Sequence, residues 1–420
     1  MRLLILTQYF PPEMGAPQVR LSELGERLID RGWEVEALTA LANYPTGRVF
    51  AKYNRCRTRI EQIGRIRTVR VPLYTTQSGF AKRLASYFSF VAAASFFGPS
   101  KCQRPDVIWV ESPPLFIGYA ARYLAWRWRC PYVFNVSDLW PESAIRMGIV
   151  KPGFATRAAE RLERTLYEKA AGVTGQSDEI IAGVLARAPS TRVEVITNGV
   201  DPARFGKDKA NDAARTALGP EPGPIFVYAG LLGLAQGLNQ ILDVARAWPQ
   251  DLPGRFVIVG EGPVREHLMQ RIERERITRV RLLGAQPRDQ VPAILAAADV
   301  AVITLGMSIP GAVPSKIYEA MASKLPIVLV ADGEPARRVE SAACGLTAAP
   351  GDIAAVRAAC QRLAGDHSLR RQMGLAGRRA AETLYDRNMI ATRLDAFLRL
   401  AHHIPDRLHE TGKADGTRLG

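Results

Sequence analysis

Residues 313–330 have the sequence Val-Pro-Ser-Lys-Ile-Tyr-Glu-Ala-Met-Ala-Ser-Lys-Leu-Pro-Ile-Val-Leu-Val. This pattern predicts a loop, a short helix, a tight turn and a buried strand in succession. Pro314 is typical of the loop, and Ser315 is a preferred N-cap residue for the helix. The stretch is one unit of a strand–helix alternation that runs through the whole chain.

The start of this helix has features of an anion site. The first turn of a helix offers free backbone N–H groups and the positive end of the helix dipole, and Lys316 adds a full charge there. Glu319 lies three residues later on the same helix face, where a carboxylate can accept both hydroxyls of a ribose. The pattern therefore suggests a sugar nucleotide with its diphosphate at the helix start. A capped surface helix with an ordinary ion pair is the alternative interpretation.

Strand and helix patterns alternate in both halves of the chain. Apolar runs predict strands at 3–7, 34–38, 106–110, 132–136, 172–175, 193–197, 225–229, 256–259, 280–283, 300–304 and 327–330. Such alternation indicates two α/β domains with parallel sheets. We expect ligands at the carboxyl ends of the strands, in a cleft where the two domains face each other.

The length of 420 residues is more than one typical core requires. We expect a first domain over 1–203 and a second over 204–385, with a helix near 386–402 that packs back on the first domain. The polar stretch 206–224 is expected to be a linker, and 403–420 a polar tail.

Composition narrows the class of protein. The five cysteines are scattered without a Cys-x-x-Cys pair, which argues against a disulfide framework or a zinc site and is typical of a reducing cytoplasm. The short apolar run Met1–Thr7 has no cleavage region, so we expect a buried strand rather than a signal peptide. Asp-x-Asp, His-Glu-x-x-His and Walker A sequences are absent, and we expect no metal site.

The net charge of +15 is concentrated in residues 48–104, where Glu61 is the one acid. Within this block, residues 84–97 are uncharged, rich in aromatic residues and too short to span a bilayer. Basic residues flank them, namely Lys82, Arg83, Lys101 and Arg104. We expect residues 78–104 to lie on an anionic membrane surface; a buried core helix is the alternative. A nucleic-acid surface is disfavoured because the block contains no recognition motif.

Four glycines follow predicted strands in positions where backbone amides can approach a phosphate, namely Gly15, Gly230, Gly233 and Gly237. A further loop, Gly-Glu-Gly-Pro at 260–263, does not complete the dinucleotide fingerprint, because Arg265 stands where its last glycine belongs. The sequence therefore disfavours a Rossmann dehydrogenase.

Candidate side chains also follow the strand at 132–136. Asp138 is a catalytic candidate and Glu142 an acceptor candidate, because functional side chains usually emerge at the carboxyl end of a strand. Capping of the next turn is the alternative role for Asp138. Arg20 lies just over one helical turn beyond Gly15, and we expect it to contact the acceptor or a phosphate.

Together these residues resemble glycosyltransferase family 4, a family of retaining transferases with the GT-B fold. The resemblance covers roughly residues 1–400 and is carried by Asn-Gly-Val-Asp at 198–201, Val-Gly-Glu-Gly-Pro at 259–263 and Pro314–Ala322. Within the family the chain is most similar to bacterial O-antigen and capsule aminosugar transferases of the N-acetyl-L-fucosamine transferase type. That closer similarity rests on the segments 44–47, 138–141, 228–230 and 235–237.

The resemblance implies two Rossmann-like domains facing across a cleft, the first binding the acceptor and the second the nucleotide sugar. It implies catalytic roles for Asp138, Lys316 and Glu319. It also implies donor contacts from Gly15, Gly230, Gly233, Gln236, Gly237, Glu261, Pro314, Ser315, Lys316 and Glu319. The chain departs from the family pattern at Leu231 and Gln236, where Arg and Lys are common, at Gly311, where the first of two glutamates is common, and at Ser137, where His is common.

The activity implied by the resemblance is retaining, metal-independent transfer of a sugar, with no cofactor besides the nucleotide-sugar donor. The expected donor is a UDP-sugar, and the expected acceptor is a lipid-linked saccharide in O-antigen or capsule biosynthesis. We expect a cytoplasmic protein that is peripheral on the inner face of the cell membrane. The alternatives are a nucleotide-sugar 2-epimerase of the same fold and a nucleic-acid-binding protein.

Overall fold

The computed structural model describes residues 1–54, 56–76, 79–146, 148–219 and 223–404. The chain forms two compact units, unit 1 from residues 1–198 together with 387 onward, and unit 2 from residues 199–386. Ser78 of the expected membrane segment and residues 405–420 of the expected tail lie outside the described residues.

The described residues of unit 1 form eight strands: β1 (Arg2–Leu6), β2 (Glu34–Ala40), β3 (Arg59–Ile63), β4 (Ile66–Val71), β5 (Val107–Ser112), β6 (Tyr132–Val136), β7 (Gly172–Gly175) and β8 (Val193–Val195). They form one sheet in the order β3-β4-β2-β1-β5-β6-β7-β8. All pairs are parallel except β3 with β4, which is antiparallel. The strand order reverses between β1 and β5, so ligands are expected beyond the carboxyl ends of these two strands.

Six helices of unit 1 connect these strands: α1 (Ala16–Ile29), α2 (Phe80–Lys101), α3 (Ile117–Trp128), α4 (Glu142–Arg146), α5 (Phe154–Lys169) and α6 (Asp178–Arg187). Both faces of the sheet are buried, because successive side chains of a strand point to opposite faces. In β1, Leu3 and Ile5 pack with the apolar residues of α1, whereas Leu4 and Leu6 pack with those of α2 and α3.

Unit 2 contains a six-stranded, wholly parallel sheet. Its strands are β9 (Ile225–Ala229), β10 (Arg255–Val259), β11 (Val280–Leu283), β12 (Val300–Thr304), β13 (Ile327–Val330) and β14 (Gly345–Ala348). The order β11-β10-β9-β12-β13-β14 is the doubly wound Rossmann order, with its reversal between β9 and β12. The prediction of two parallel-sheet α/β domains is therefore confirmed.

Eight helices cover the sheet of unit 2: α7 (Asp212–Leu218), α8 (Asn239–Arg246), α9 (Arg265–Arg274), α10 (Val291–Ala297), α11 (Lys316–Ala322), α12 (Glu334–Ser341), α13 (Ile353–Gly365) and α14 (His367–Thr383). One buried cluster packs around Ile225 and Val227 of β9, and a second packs around Phe226 and Tyr228 on the opposite face.

The expectation of a linker over 206–224 was wrong for most of that stretch. Residues Lys207–Lys209 form a 3-10 turn, and α7 follows directly. The helix forms because Ala214 and Leu218, one turn apart, are buried in the core of unit 2. Arg215 adds a hydrogen bond of 3.0 Å to the carbonyl of Ala297.

The last described helix, α15 (Arg387–His402), belongs to unit 1. Its buried Ile390, Leu394 and Leu398 pack with α1 in one core cluster. The Trp33 indole donates a hydrogen bond of 2.6 Å to Asp395, and the Arg399 guanidinium lies 5.3 Å from the centre of the Trp33 ring. Unit 1 is thus formed by two separate parts of the chain.

Helix α2 contains the uncharged stretch 84–97. One face is buried against the core of unit 1 through Phe90 and Ala94, whereas Phe88 and Phe96 on another face are 45% and 76% exposed. The interpretation as a core helix is therefore correct for one face, and membrane contact by the exposed face stays a prediction. No helix in the described part of the chain has both the length and the apolar character needed to cross a bilayer.

Part of the basic block is neutralised within the fold. Arg70 is fully buried, and its guanidinium lies 2.6 Å from Glu61, whose second oxygen lies 2.8 Å from Lys52. Arg67 pairs with Glu36 of β2, and Arg65 lies 2.7 Å from a carboxylate of α1. These charges stabilise the sheet edge, so the positive surface is smaller than the composition of the block suggests.

Candidate functional site

Lys316 lies at the carboxyl edge of the unit 2 sheet, beside the glycine-containing loop that follows β9. A Cβ atom built on Gly230 would lie 2.3 Å from Lys316 Cε and 2.9 Å from Lys316 Nζ. The φ angle of Gly230 is +142°, which L-residues rarely adopt. Gly230 is therefore favoured by the backbone conformation, and the end of the Lys316 side chain lies against it.

The Lys316 ammonium has an environment that is poor in partners. It lies 4.9 Å from the centre of the Tyr228 ring, and no residue in the described part of the chain forms a hydrogen bond or ion pair with it. Burial lowers the pKa of Lys316, and the charge of Glu319 partly opposes that effect. A partly buried cation with unused donors is well suited to an anionic ligand.

The start of α11 differs from the sequence prediction. Ser315 occupies the N-cap position, but its backbone is already helical and its side chain makes no capping hydrogen bond. The N–H groups of Ile317 and Tyr318 donate to the carbonyls of Pro314 and Ser315, at 3.1 Å each. Most first-turn donors are therefore engaged, because the turn closes on itself, and the side chain of Lys316 becomes the main candidate for an anion contact.

Three loops at the same edge are fastened to one another. The Leu232 N–H donates to the carbonyl of Glu261 at 2.8 Å, and the Thr304 hydroxyl donates to the carbonyl of Gln236 at 2.6 Å. A Cβ atom on Gly260 would lie 1.9 Å from the Gly230 carbonyl oxygen, so only glycine allows these loops to meet. The loops after β9, β10 and β12 therefore form one continuous surface.

The other expected donor contacts lie on this surface. Gly233 precedes the 3-10 turn Leu234–Gln236, and Gly237 follows it in the left-handed conformation. The Glu261 side chain is exposed and lies 3.2 Å from Arg265 Nε. Glu319 lies on α11 one turn after Lys316 and is partly buried. The structure thus brings together the candidates Gly230, Gly233, Gln236, Gly237, Pro314, Ser315, Lys316 and Glu319 in unit 2.

Arg20 is in a different setting from the expected one. It is fully buried in unit 1, where its guanidinium lies 2.5 Å from Glu111 and donates to the Ser137 hydroxyl at 3.1 Å. Asn135 also donates to Glu111, at 2.8 Å, and the Ser137 hydroxyl donates to the same carboxylate at 2.6 Å. Arg20 is therefore neutralised by a buried acid, and its Nε and Nη1 atoms have no hydrogen-bond partner.

Glu111 was missed by the sequence analysis. It lies near the carboxyl end of β5 beside the strand reversal, and burial raises its pKa while Arg20 and the polar neighbours oppose that effect. The available signal was an acid directly after the apolar run Val107–Val110, because a charge in a buried strand needs a partner.

Gly15 immediately precedes α1 in an extended conformation, and a Cβ atom there would lie 2.3 Å from Gln18 Oε1. It is the one expected donor contact that belongs to unit 1.

Asp138 is partly buried beyond the end of β6 and accepts a hydrogen bond of 2.7 Å from the Ser143 hydroxyl. Burial raises the pKa of Asp138. Glu142 is bound by Arg187 at 2.6 Å and by Arg146 at 2.8 Å, so its carboxylate has a structural role between helices.

Arg187 also contacts the buried Glu163, at 2.9 Å. Burial nevertheless raises the pKa of Glu163 to about 7, against the opposing effects of Arg187 and the Tyr167 hydroxyl.

Two cavities lie at the amino ends of the strands, which is the sheet edge opposite the candidate residues. One has a volume of about 320 Å³ and is lined at the start of β1 and β2 by residues such as Arg2 and Glu34; the other, of about 330 Å³, is lined at the start of β10 and β11. Neither includes the candidates above. Within the described ranges, no group of three or more His, Cys, Asp or Glu side chains is arranged to hold a metal ion.

Both units of the chain match known protein families. Residues 15–199 match the family model of the glycosyl transferase 4-like domain, and residues 211–380 match that of the glycosyl transferases group 1. The chain is 28% identical over 334 residues to WcaI of Escherichia coli (strain K12), named as a colanic acid biosynthesis glycosyl transferase, with 77% of this chain and 81% of WcaI covered.

Solved structures share the fold. Sucrose-phosphate synthase from Thermosynechococcus elongatus superimposes with a TM-score of 0.74 at 21% identity, with 95% of this chain and 98% of that protein covered. The Alr3699/HepE protein of Anabaena, solved in complex with UDP, gives a TM-score of 0.70 at 18% identity, with 95% and 100% covered.

Proposed function

Because this chain belongs to the group 1 glycosyltransferases and carries a glycosyltransferase 4-like domain ahead of the group 1 domain, we propose that it transfers a sugar. The proposed donor is a UDP-sugar. The proposed acceptor is a lipid-linked saccharide in the synthesis of a bacterial surface polysaccharide. The name of WcaI, which refers to colanic acid biosynthesis, supports the product class. The UDP complex of the Anabaena protein supports the donor class.

One observation carries the donor assignment, namely the enclosure of Lys316 between Gly230 and the Tyr228 ring without a partner. In the proposed complex, the diphosphate takes the hydrogen-bond donors of Lys316. Glu319 accepts the ribose hydroxyls, one helical turn away, and the loop at 230–237 covers the diphosphate from the other side. The departures at Leu231 and Gln236 then matter less, because Lys316 supplies the positive charge that those positions lack.

The proposed chemistry retains the anomeric configuration. The acceptor oxygen bonds to the anomeric carbon on the face from which the diphosphate leaves, the bond between that carbon and the phosphate oxygen breaks, and the acceptor proton passes to the departing phosphate. The main catalytic demand is stabilisation of the developing diphosphate charge. Lys316 meets it in a site of reduced polarity, where a charge-assisted contact is strong, so we propose that turnover needs no divalent metal.

We assign the acceptor to unit 1. Asp138 is the candidate there for contact with a substrate hydroxyl, since it is partly buried beyond the end of a central strand. Arg20 and Glu142 are withdrawn as direct contacts, because both are engaged by charged partners within unit 1.

We further propose that α2 rests on the inner face of the membrane that holds the acceptor. Its outer face exposes Phe88 and Phe96, while Lys82, Arg83 and Lys101 are exposed near its ends. Apolar side chains beside basic ones are typical of helices in the membrane interface. The buried face of α2 is already used by the core, so only the outer face is available for lipid.

The test is a panel of UDP-sugars incubated with membrane-extracted lipid-diphosphate saccharides. The proposal predicts that one donor gives a new lipid-linked glycoside together with free UDP. Conversion of the donor into its epimer, without any lipid product, would instead indicate a nucleotide-sugar 2-epimerase. Failure of every UDP-sugar to bind, measured by calorimetry, would refute the donor assignment.

A further inference from the structure

Two tyrosines form an aromatic pair at the carboxyl edge of the unit 1 sheet. Tyr9 follows β1 and Tyr44 follows β2, and these neighbouring strands are parallel, so both loops emerge at the same edge. The ring centres lie 5.6 Å apart at an angle of 57°. Tyr44 is 36% exposed and Tyr9 is partly buried. The pair is therefore an open aromatic surface at the edge where such sheets bind ligands.

A single buried carboxylate fixes the two loops that carry the pair. Glu13 is 1% exposed and accepts three backbone hydrogen bonds, from Phe10 at 3.0 Å, Asn43 at 2.8 Å and Tyr44 at 2.8 Å. The first donor lies in the loop after β1 and the other two lie in the loop after β2. Glu13 thus determines the spacing of the two aromatic rings through the backbone.

The neighbourhood of the pair connects it to α2. Tyr87 and Arg83 of α2 act electrostatically on the Tyr9 hydroxyl, as does Glu13. Arg70, which interacts with the Pro11 and Ala40 carbonyls, holds the base of both loops. The aromatic surface therefore lies near the start of the helix whose outer face we assign to the membrane.

Resting on the proposed function, we propose that Tyr9 and Tyr44 form the surface on which the saccharide of the acceptor packs, and that Glu13 is a positioning residue for this surface. A pyranose ring presents a flat face of C–H groups, which suits the electron-rich face of an aromatic ring, while its hydroxyls stay at the polar edge. Glu13 acts through the backbone of the two loops and touches no substrate.

The experiment compares two soluble probes, decyl diphosphate and decyl-diphospho-N-acetylglucosamine, which differ only in the saccharide. Binding to the full chain is measured by calorimetry in the presence of UDP. The wild type is expected to bind the glycosylated probe about 2- to 10-fold more tightly, the range of one aromatic contact. Tyr44→Ala is expected to remove this preference and Tyr44→Phe to retain it.

Glu13→Gln tests the positioning role. The amide would place a donor opposite the Phe10 N–H, so the loop after β1 should shift and the preference for the glycosylated probe should fall. The affinity of Tyr44→Ala for UDP should stay unchanged, because the loop after β2 contains no expected donor contact. Glu13→Gln is left out of that comparison, because Gly15, an expected donor contact, lies in the loop that Glu13 holds. Tyr123→Ala is the matched control, since Tyr123 is 41% exposed in unit 1 and also lies beside an aromatic ring, that of Trp126.

Three outcomes would overturn the inference: equal binding of the two probes by the wild type, a preference that survives both Tyr44→Ala and Glu13→Gln, or an equal loss in Tyr123→Ala. The proposed function is tested separately, by measuring the binding of UDP to the same samples.

Discussion

Lys316 allows ligand binding to be separated from folding, and we expect Lys316→Met to weaken UDP binding strongly without weakening the fold. In the free protein the ammonium is partly buried, lies over Tyr228 and has no hydrogen bond or ion pair with any described residue. Methionine has a similar length and no charge to desolvate. The substitution therefore removes a ligand contact and leaves the packing of the site nearly intact.

The expected magnitude follows from the contact that is lost. A hydrogen bond to a charged group contributes about 1.5–3 kcal/mol, which corresponds to about a 10- to 150-fold increase in the Kd for UDP. The melting temperature of the free protein should stay the same or rise. Since burial lowers the pKa of Lys316 below 10.5, the unfolded chain binds the proton more tightly than the folded chain does, and the cost of the buried charge is fully present at neutral pH.

Titration calorimetry with UDP and a thermal melt of the free protein together make the measurement. Lys324→Met is the control, because Lys324 is exposed in the same unit and its replacement removes the same charge. Any gain in melting temperature for Lys316→Met should shrink as the pH rises towards 10.5. UDP affinity within twofold of the wild type, or a large fall in the melting temperature, would refute the reasoning.

Four further outcomes are expected. Glu319→Gln should weaken the binding of both UDP and uridine, since a ribose contact serves both, whereas Lys316→Met should affect UDP alone; equal uridine affinity in the wild type and Glu319→Gln would contradict this. Transfer should survive excess EDTA, and loss of activity that magnesium or manganese restores would show that Lys316 is insufficient. A variant of the α2 region replaces four basic residues with Gln, namely Lys82, Arg83, Lys101 and Arg104. It should be released from anionic vesicles in a flotation assay while UDP binding persists. Equal flotation of the variant and the wild type would argue for a purely structural helix. Glu163→Gln should become more stable than the wild type as the pH rises from 5 to 8, by up to about 3 kcal/mol in urea unfolding. The reason is that the pKa of Glu163 is raised to about 7, so up to that pH the folded protein keeps a proton that the unfolded chain has already lost. A constant difference across that range would contradict the buried-acid account.

The parallel strands were predictable because their signal is local. Runs such as 225–229 and 300–304 are apolar and rich in β-branched or aromatic residues, and burial on both faces of the sheet requires this. The antiparallel edge of β3 and β4 was missed for the opposite reason. Its residues alternate with arginines, and only the partners at Glu26, Glu36 and Glu61 show that these charges belong to the fold.

The candidate site was predictable where its residues are close in sequence and unpredictable where they are not. Lys316 and Glu319 share one helix face, so their spacing alone brings them together. The contact of Lys316 with Gly230 depends on the pairing of β9 with β12, and the contact of Arg20 with Glu111 joins residues that are 91 positions apart. No periodicity or local motif encodes such pairs, and the burial of Arg20 could only be seen in the folded chain.

The return of α15 to unit 1 has a consequence for the order in which the protein acquires its structure on the ribosome. Unit 2 is continuous in sequence and is synthesised completely before Arg387 exists, whereas the core around Ile390, Leu394 and Leu398 lacks one side until the last helix emerges. At about 5–20 residues per second, roughly 10–40 s separate the end of the first segment of unit 1 from the start of α15. During that interval the side of α1 that packs with α15 is uncovered and open to chaperones, so the amino-terminal unit is the last to be completed.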